Sequence, residues 1–411
     1  MGKREKRRKA ERIRRAHRVA RAELAAERAR QQAGAAPTGK SADVVLEPVD
    51  VTLLAPAKFC LLTEPEETLD FLKTFDSVLA RPEVTKIVVN FSECKVMSLC
   101  AFSVLFTRFM DTQQARESVP ITLLGIRSGS TSVNQMIGFA EVSEEARPVN
   151  IIRSPMIRGK AVGNAFSKER DRAGTEIVDH LTKCLATVGT ELTPEGRKYI
   201  GNLITEAVGN AEEHSGPWVA SGYFVQQYAT DPGECHLVLF NSGATICERI
   251  QSPDASEKIR ARAEQLAAHH LNKGFFTGRL RNNWNKEALL TLYALQEGVS
   301  SRLHERASRG NGTIQMIKAF SELAGKDQRM CILSGSAYIL FDGTYGLSVK
   351  QTTGTETREV ISFNGEKDLQ LPPDDKYVRA LSHRFEGTVV SVRFRLATTQ
   401  QTSLTKKRSE L

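Results

Sequence analysis

The sequence predicts a mixed α/β (α+β) chain, with two folded portions behind a basic helical arm. Three observations carry this. Strand and helix patterns alternate from about residue 46 to 147, which calls for a sheet with helices packed on it. From residue 171 two helical stretches precede a long series of apolar strands, the pattern of an antiparallel or mixed sheet backed by helices in a two-layer sandwich. The net charge of +9 belongs to one end: residues 1–32 hold 13 Lys or Arg against 4 Glu, and the remainder is balanced.

Residues 1–45 read as an arm and a linker. The arm is rich in Ala, Arg, Glu and Lys and is polar nearly all round, so as a helix it has no apolar stripe to bury. Such a segment orders on a partner. A nucleic-acid backbone is one such partner, held through phosphates without sequence reading; a solvated tail is the alternative. Residues 33–45, AGAAPTGKSADVV, read as a flexible linker.

No apolar run approaches the ~20 residues of a membrane span, and the N-terminus lacks a signal-peptide apolar core. The seven cysteines are scattered and never form CxxC, which favours reduced thiols in a cytoplasm and speaks against a zinc site.

In the first folded portion, 46–147, Val49 to Leu54 alternates like a strand and Glu64 to Leu79 like an amphipathic helix. The run KIVVNF, Lys86 to Phe91, is a buried strand; a helix over Ser98–Arg116, a strand over Ile121–Leu124 and a short helix over Ser130–Phe139 follow. Residues 148–170 form a connector bearing Gly and Arg.

The second portion, 171–396, opens with a helix over Asp171–Val188. Thr193 at the N-cap and Pro194 at N1 then start another helix. Its later turns read ITEAVGNAEEHS, Ile204 to Ser215, and carry Glu206 and Asn210 one turn apart on one face, roughly 6 Å from each other. An acid and an amide so placed suit a magnesium–nucleotide site: Asn offers a neutral oxygen to a hard cation, and the acid polarises a water aimed at phosphate. The same pair also fits an ordinary polar helix face.

Strands over Trp218–Tyr228 and Cys235–Phe240 follow, the second running into Asn241-Ser242-Gly243-Ala244-Thr245-Ile246. An insert over about 248–308 includes helices at Ser256–His270 and Lys286–Leu303, with Phe275, Phe276 and Trp284 read as core. Arg309-Gly310-Asn311-Gly312-Thr313 then leads into a helix over Ile314–Leu323. Glycines let backbone approach phosphate, and a helix N-terminus offers free N–H groups; a plain turn is the alternative. Arg309 would meet a phosphate or form an ion pair. The remaining strands are Arg329–Ser334, Ala337–Phe341, Gly346–Gln351, Val360–Phe363 and Val389–Leu396, with a loose polar tail over 397–411.

The stretch TEAVGNAEEHSG resembles the first motif of the Bergerat-fold (GHKL) ATPases, the group of gyrase, heat-shock chaperones, MutL-type repair proteins and histidine kinases; its form is similar to the bacterial anti-sigma-factor serine kinases. The resemblance implies that Glu206 activates water or an acceptor hydroxyl and that Asn210 ligates Mg2+. His214 would cap the helix or touch phosphate, or be a plain surface histidine. Asn241 stands where the family has an Asp that accepts from the adenine amino group, Gly243 where a Gly makes room for the ring, and Thr245 where a second Gly is usual. Asn keeps an acceptor but loses the carboxylate's charge. Arg309, Gly310 and Gly312 match the glycine-rich phosphate motif, and Phe385-Glu386-Gly387-Thr388 the closing Gly-Thr, with the Thr388 hydroxyl near adenine. The insert stands in the place of the ATP lid.

The first portion, with its loop FSECKVMSLCAFSVLF, resembles a STAS domain. Ser98, Leu99, Cys100 and Ala101 stand where antagonists of that family carry Asp-Ser-Ser-Gly, so Leu99 and Cys100 replace the phosphorylatable serines and Ser98 reads as an N-cap. The resemblances together imply a cytoplasmic protein that binds ATP and Mg2+ and acts in regulation or signalling. Nucleotide state would change contacts to a protein partner or to the STAS-like portion, with slow hydrolysis resetting it. A partner-switching serine protein kinase and a non-catalytic scaffold with a nucleic-acid-binding arm are the alternatives. A membrane partner is not expected, and the sequence leaves open whether the chain forms a homodimer.

Overall fold

The computed structural model describes residues 48–411 except 116–118, 125–149, 161–166, 227, 229–231, 254, 277–283, 297–298, 300–311, 352–356, 397–403 and 408–411. The basic arm, its linker, the helix expected at Ser130–Phe139, and Arg309 and Gly310 lie outside the described residues.

The first portion comprises β1 (Val49–Leu54), β2 (Lys58–Phe59), α1 (Pro65–Leu79), β3 (Val84–Asn90), β4 (Val96–Met97), α2 (Leu99–Ala115) and β5 (Ile121–Leu124). Strands β1, β3 and β5 pair in parallel in that order, and β2 pairs with β4. Pro65 opens α1, where its missing N–H has no helical partner to lose, and Leu69, Phe71, Leu72, Phe75 and Val78 form the buried face. Ser98 Oγ accepts from Ala101 N–H at the start of α2, as an N-cap does.

The second portion comprises β6 (Asn150–Arg153), β7 (Ile157–Gly159), α3 (Lys168–Ala186), β8 (Thr190–Leu192), α4 (Pro194–Ser215), β9 (Trp218–Gln226), β10 (Glu234–Ser242), α5 (Ile246–Gln251), α6 (Glu257–Phe276), α7 (Lys286–Ala294), α8 (Gly312–Leu323), β11 (Ala324–Phe341), β12 (Ser348–Gln351), β13 (Thr357–Val360), β14 (Val378–Leu396) and β15 (Thr405–Lys407). Its centre is an antiparallel sheet in the order β11-β14-β10-β9-β6, with β7 also on the outer side of β9.

That sheet is covered on both faces, which is why all nine residues of β9 are buried. Trp218, Ala220 and Phe224 of β9 and Cys235 and Leu237 of β10 point to one side, where α3 and α4 lie. Val219, Tyr223 and Val225 of β9, Val238 and Phe240 of β10, and Val389 of β14 point to the other. There they share a core with Phe59, Leu72, Phe75, Leu99, Cys100 and Phe102 of the first portion. Helix α1 lies against β14, and α2 against β10 and β9. Residues 48–411 thus form one compact unit. Tyr338 Oη donates to the Leu62 carbonyl at 2.5 Å across the contact, and Ser382 N–H donates to Glu66 at 3.0 Å.

Several expectations are corrected. The connector is not a bare link, because Asn150–Arg153 and Ile157–Gly159 add edge strands to β9. The tail is not wholly loose: Thr405–Lys407 pairs with β8, and the Leu404 carbonyl accepts from Thr193 N–H at 2.9 Å. The helix expected to run to Leu303 stops at Ala294, where the Gln296 side chain donates to the carbonyls of Leu292 and Ile361. The two strands expected at Arg329–Ser334 and Ala337–Phe341 are one long strand, bulged about Gly335 at φ +60°. The last strand begins at Val378 rather than Val389.

Candidate functional site

The site is organised by one register line across three strands. Ser334 of β11, Thr388 of β14 and Asn241 of β10 are direct neighbours, and the alternation of each strand turns all three toward the helices. Asn241 Oδ1 accepts from Thr388 N–H at 2.8 Å. The hydroxyls of Thr388 and Ser334 are 2.8 Å apart, and Ser334 Oγ accepts from Ile246 N–H at 2.8 Å. The row therefore runs from the middle of the sheet to the N-terminus of α5. Asn241 is 5% exposed, so its polarity is not there for solvent.

The backbone around this row is tight. Gly387 holds φ +138°, and a Cβ on it would come within 2.0 Å of the Asn241 carbonyl oxygen. Only glycine permits that approach. Gly243 also has positive φ, at 148°, and donates to the Glu386 carbonyl at 3.2 Å. Thr245, in the place of the resembled family's second glycine, is the N-cap of α5. Its hydroxyl accepts from Glu248 N–H, and the Glu248 carboxylate accepts from Thr245 N–H at 2.9 Å, a closed capping box. These bonds hold the Glu248 carboxyl below its ordinary value, the Thr245 backbone N–H being the largest cause.

Helix α4 reaches the same end of the sheet. Thr193 caps its start, accepting from Gly196 N–H at 2.9 Å, and only Gly216 and Pro217 separate its last residue from Trp218, the register partner of Asn241. Asn210 lies five residues before that end, about 8 Å along the axis. Glu206 and Asn210 are both exposed, and Gly209 between them has the Arg170 guanidinium of α3 beside it. Two residues on, Glu212 is buried and accepts from Trp218 Nε1 at 3.1 Å and from Ser167 N–H at 3.2 Å, tying α4 to β9 and to the start of α3.

Asn241 and Thr388 are thus brought together, with the carboxyl-terminal half of α4 at the same sheet end. Gly312 opens α8, as a phosphate-binding helix start requires, but the described contact of α8 with α4 is further back: Tyr199 donates to Gln315 Oε1 at 2.5 Å, eleven residues before Asn210 and roughly 16 Å along the helix. Arg309 and Gly310 belong to the segment outside the described residues, and so does the side chain of His214. Of the insert's aromatic residues, Trp284 is buried.

Sequence reasoning passed over Ser334, Arg170 and Glu212. Ser334 gave no signal, because a serine inside an apolar strand is ordinary; Glu212 adjoins the motif and was detectable only as an acid on the helix's inner face. Leu99, Cys100 and Ala101, with Ser98, are buried at the contact with the central sheet, which closes that loop to modification in this arrangement. No helix among the described residues is long and apolar enough to cross a membrane. No family model matches the chain, and no curated protein and no solved structure compared with it is similar.

Proposed function

We propose that the chain is an ATP- and Mg2+-binding regulatory or signalling protein of the GHKL type. In this reading Asn241, Gly243 and Thr388 receive adenine, Asn210 ligates Mg2+, and Glu206 orients the water of a slow hydrolysis. Arg309, Gly310 and Gly312 approach the phosphates. The observation that carries the reading is the pairing of Asn241 with Thr388, at the end of a central strand, beside the end of α4. The layer formed by 48–124 packs on the opposite sheet face, so a change in nucleotide state reaches it through β10 and β14.

Calorimetric titration of Mg-ATP and Mg-GTP into the wild-type chain and Asn210→Ala tests this. Binding of Mg-ATP in preference to Mg-GTP is expected, and Asn210→Ala should lose it while keeping its fold, since Asn210 is exposed. No heat with either nucleotide rejects the reading. That outcome favours the scaffold alternative, for which one observation speaks: Asn241 Oδ1 already accepts from Thr388 N–H. Transfer of radiolabelled phosphate to a candidate partner would instead assign the serine-kinase alternative.

A further inference from the structure

Three soft or imidazole donors converge away from the proposed nucleotide site. His180 and Cys184 stand four apart on α3, so both project from one side of the helix toward the sheet. Cys235 is the second residue of β10 and points back at them. His180 Nε2 lies 3.6 Å from Cys184 Sγ and 3.8 Å from Cys235 Sγ. The ligand atoms of all three residues fall within 4.8 Å of one another, and all three side chains are buried. We propose that His180, Cys184 and Cys235 form a metal site whose occupant is Zn2+.

The spacing matches the chemistry. With Zn–S of about 2.3 Å and Zn–N of about 2.0 Å, the edges of a coordination tetrahedron are about 3.5 Å between N and S and about 3.8 Å between two sulfurs. Nε2 is the ring nitrogen near both sulfurs, and because Cys184 Sγ also lies 3.9 Å from Nδ1, the imidazole turns to aim Nε2 at a cation held between them. Gly222 of β9 leaves room for the ring: a Cβ there would come within 2.6 Å of His180 Cδ2 and 2.9 Å of Nε2. Two thiolates and an imidazole select a thiophilic ion, and two thiolate charges neutralise a divalent one, which matters where all three side chains are buried. Three protein donors is the ligand count of zinc sites that keep one position open. The expectation against zinc, drawn from the lack of CxxC, fails to cover this arrangement. The helix supplies an H-x-x-x-C pair and a strand supplies the third ligand 55 residues after the histidine.

The test uses the full chain, reduced, stripped with a chelator and titrated with Co2+ and then Zn2+. One Co2+ per chain with a thiolate-to-cobalt charge-transfer band is expected, and Zn2+ should abolish the band. Cys184→Ser and Cys235→Ser should lose it, whereas Cys94→Ser should keep it. Zinc-edge absorption of the Zn-loaded wild type needs no variant and should show two sulfur neighbours. Absence of the band in folded wild type, its survival in both Ser variants, or a zinc shell of oxygen and nitrogen alone overturns the proposal. None of these outcomes bears on nucleotide binding.

Discussion

Asn241 Oδ1 accepts a 2.8 Å hydrogen bond from the backbone N–H of Thr388, its direct neighbour across β10 and β14. The amide thereby adds a side-chain tie between β10 and β14 beside Gly387 and fixes its own rotamer.

Asn241→Asp keeps that acceptor and should preserve the fold, while restoring the charge expected of an adenine-binding position; tighter Mg-ATP binding by calorimetry is the expected result. Asn241→Leu leaves the Thr388 N–H without its partner and should cost about 1–3 kcal/mol, read as a lower urea midpoint at unchanged slope.

Gly387→Ala combines a backbone at φ +138° with a Cβ only 2.0 Å from the Asn241 carbonyl oxygen. Both effects oppose folding, and a loss of about 2 kcal/mol or more is expected in thermal or urea unfolding. Gly346→Ala, which meets nothing within 4 Å, serves as the control and should change little.

Acid should weaken the sheet through Glu234. Burial alone would raise its carboxyl, but His236 at 2.6 Å and Arg393 at 2.6 Å outweigh that and bring it from 4.5 down to about 2. A carboxylate with a depressed folded value stabilises above its unfolded value and loses that contribution as pH falls. The window therefore runs from about pH 4.5 down to about 2, and the whole contribution is about 3 kcal/mol. Urea midpoints measured from pH 6 to pH 2.5 should fall through this range, and Glu234→Gln should flatten the fall.

The first portion should not be removable. Val219, Tyr223, Val238, Phe240, Leu333 and Phe385 lie under it, and a chain beginning at residue 148 would expose them together. Such a chain is expected to aggregate or to bind a hydrophobic dye strongly, whereas the intact protein does not. Tyr338→Phe, which deprives the Leu62 carbonyl of its donor, should cost about 1 kcal/mol.

The sequence was most legible where one face of an element meets solvent. Val49–Leu54 and Ile121–Leu124 have the expected bounds, and α1 and α2 begin and end within a residue of theirs. Legibility failed for Asn150–Arg153 and Thr405–Lys407, which carry charged or polar residues at their ends, show no period and owe their form to the strand beside them. The covering of β9 on both faces was equally hidden, since a run apolar at every position does not say what lies on either side. At the candidate site the helix acid and amide, the Asn at the end of one strand and the Thr ahead of an apolar run were readable as types at spacings. The Ser334 hydroxyl and the meeting of Cys235 with His180 were not, because both depend on which strand lies beside which element.

The bond from Thr193 to the Leu404 carbonyl joins positions 211 apart in the chain, at the cap of α4. During synthesis that helix emerges long before the segment that seats its first turn. Until Leu404 has been translated and docked, the first turn has only its local Thr193 cap to hold it.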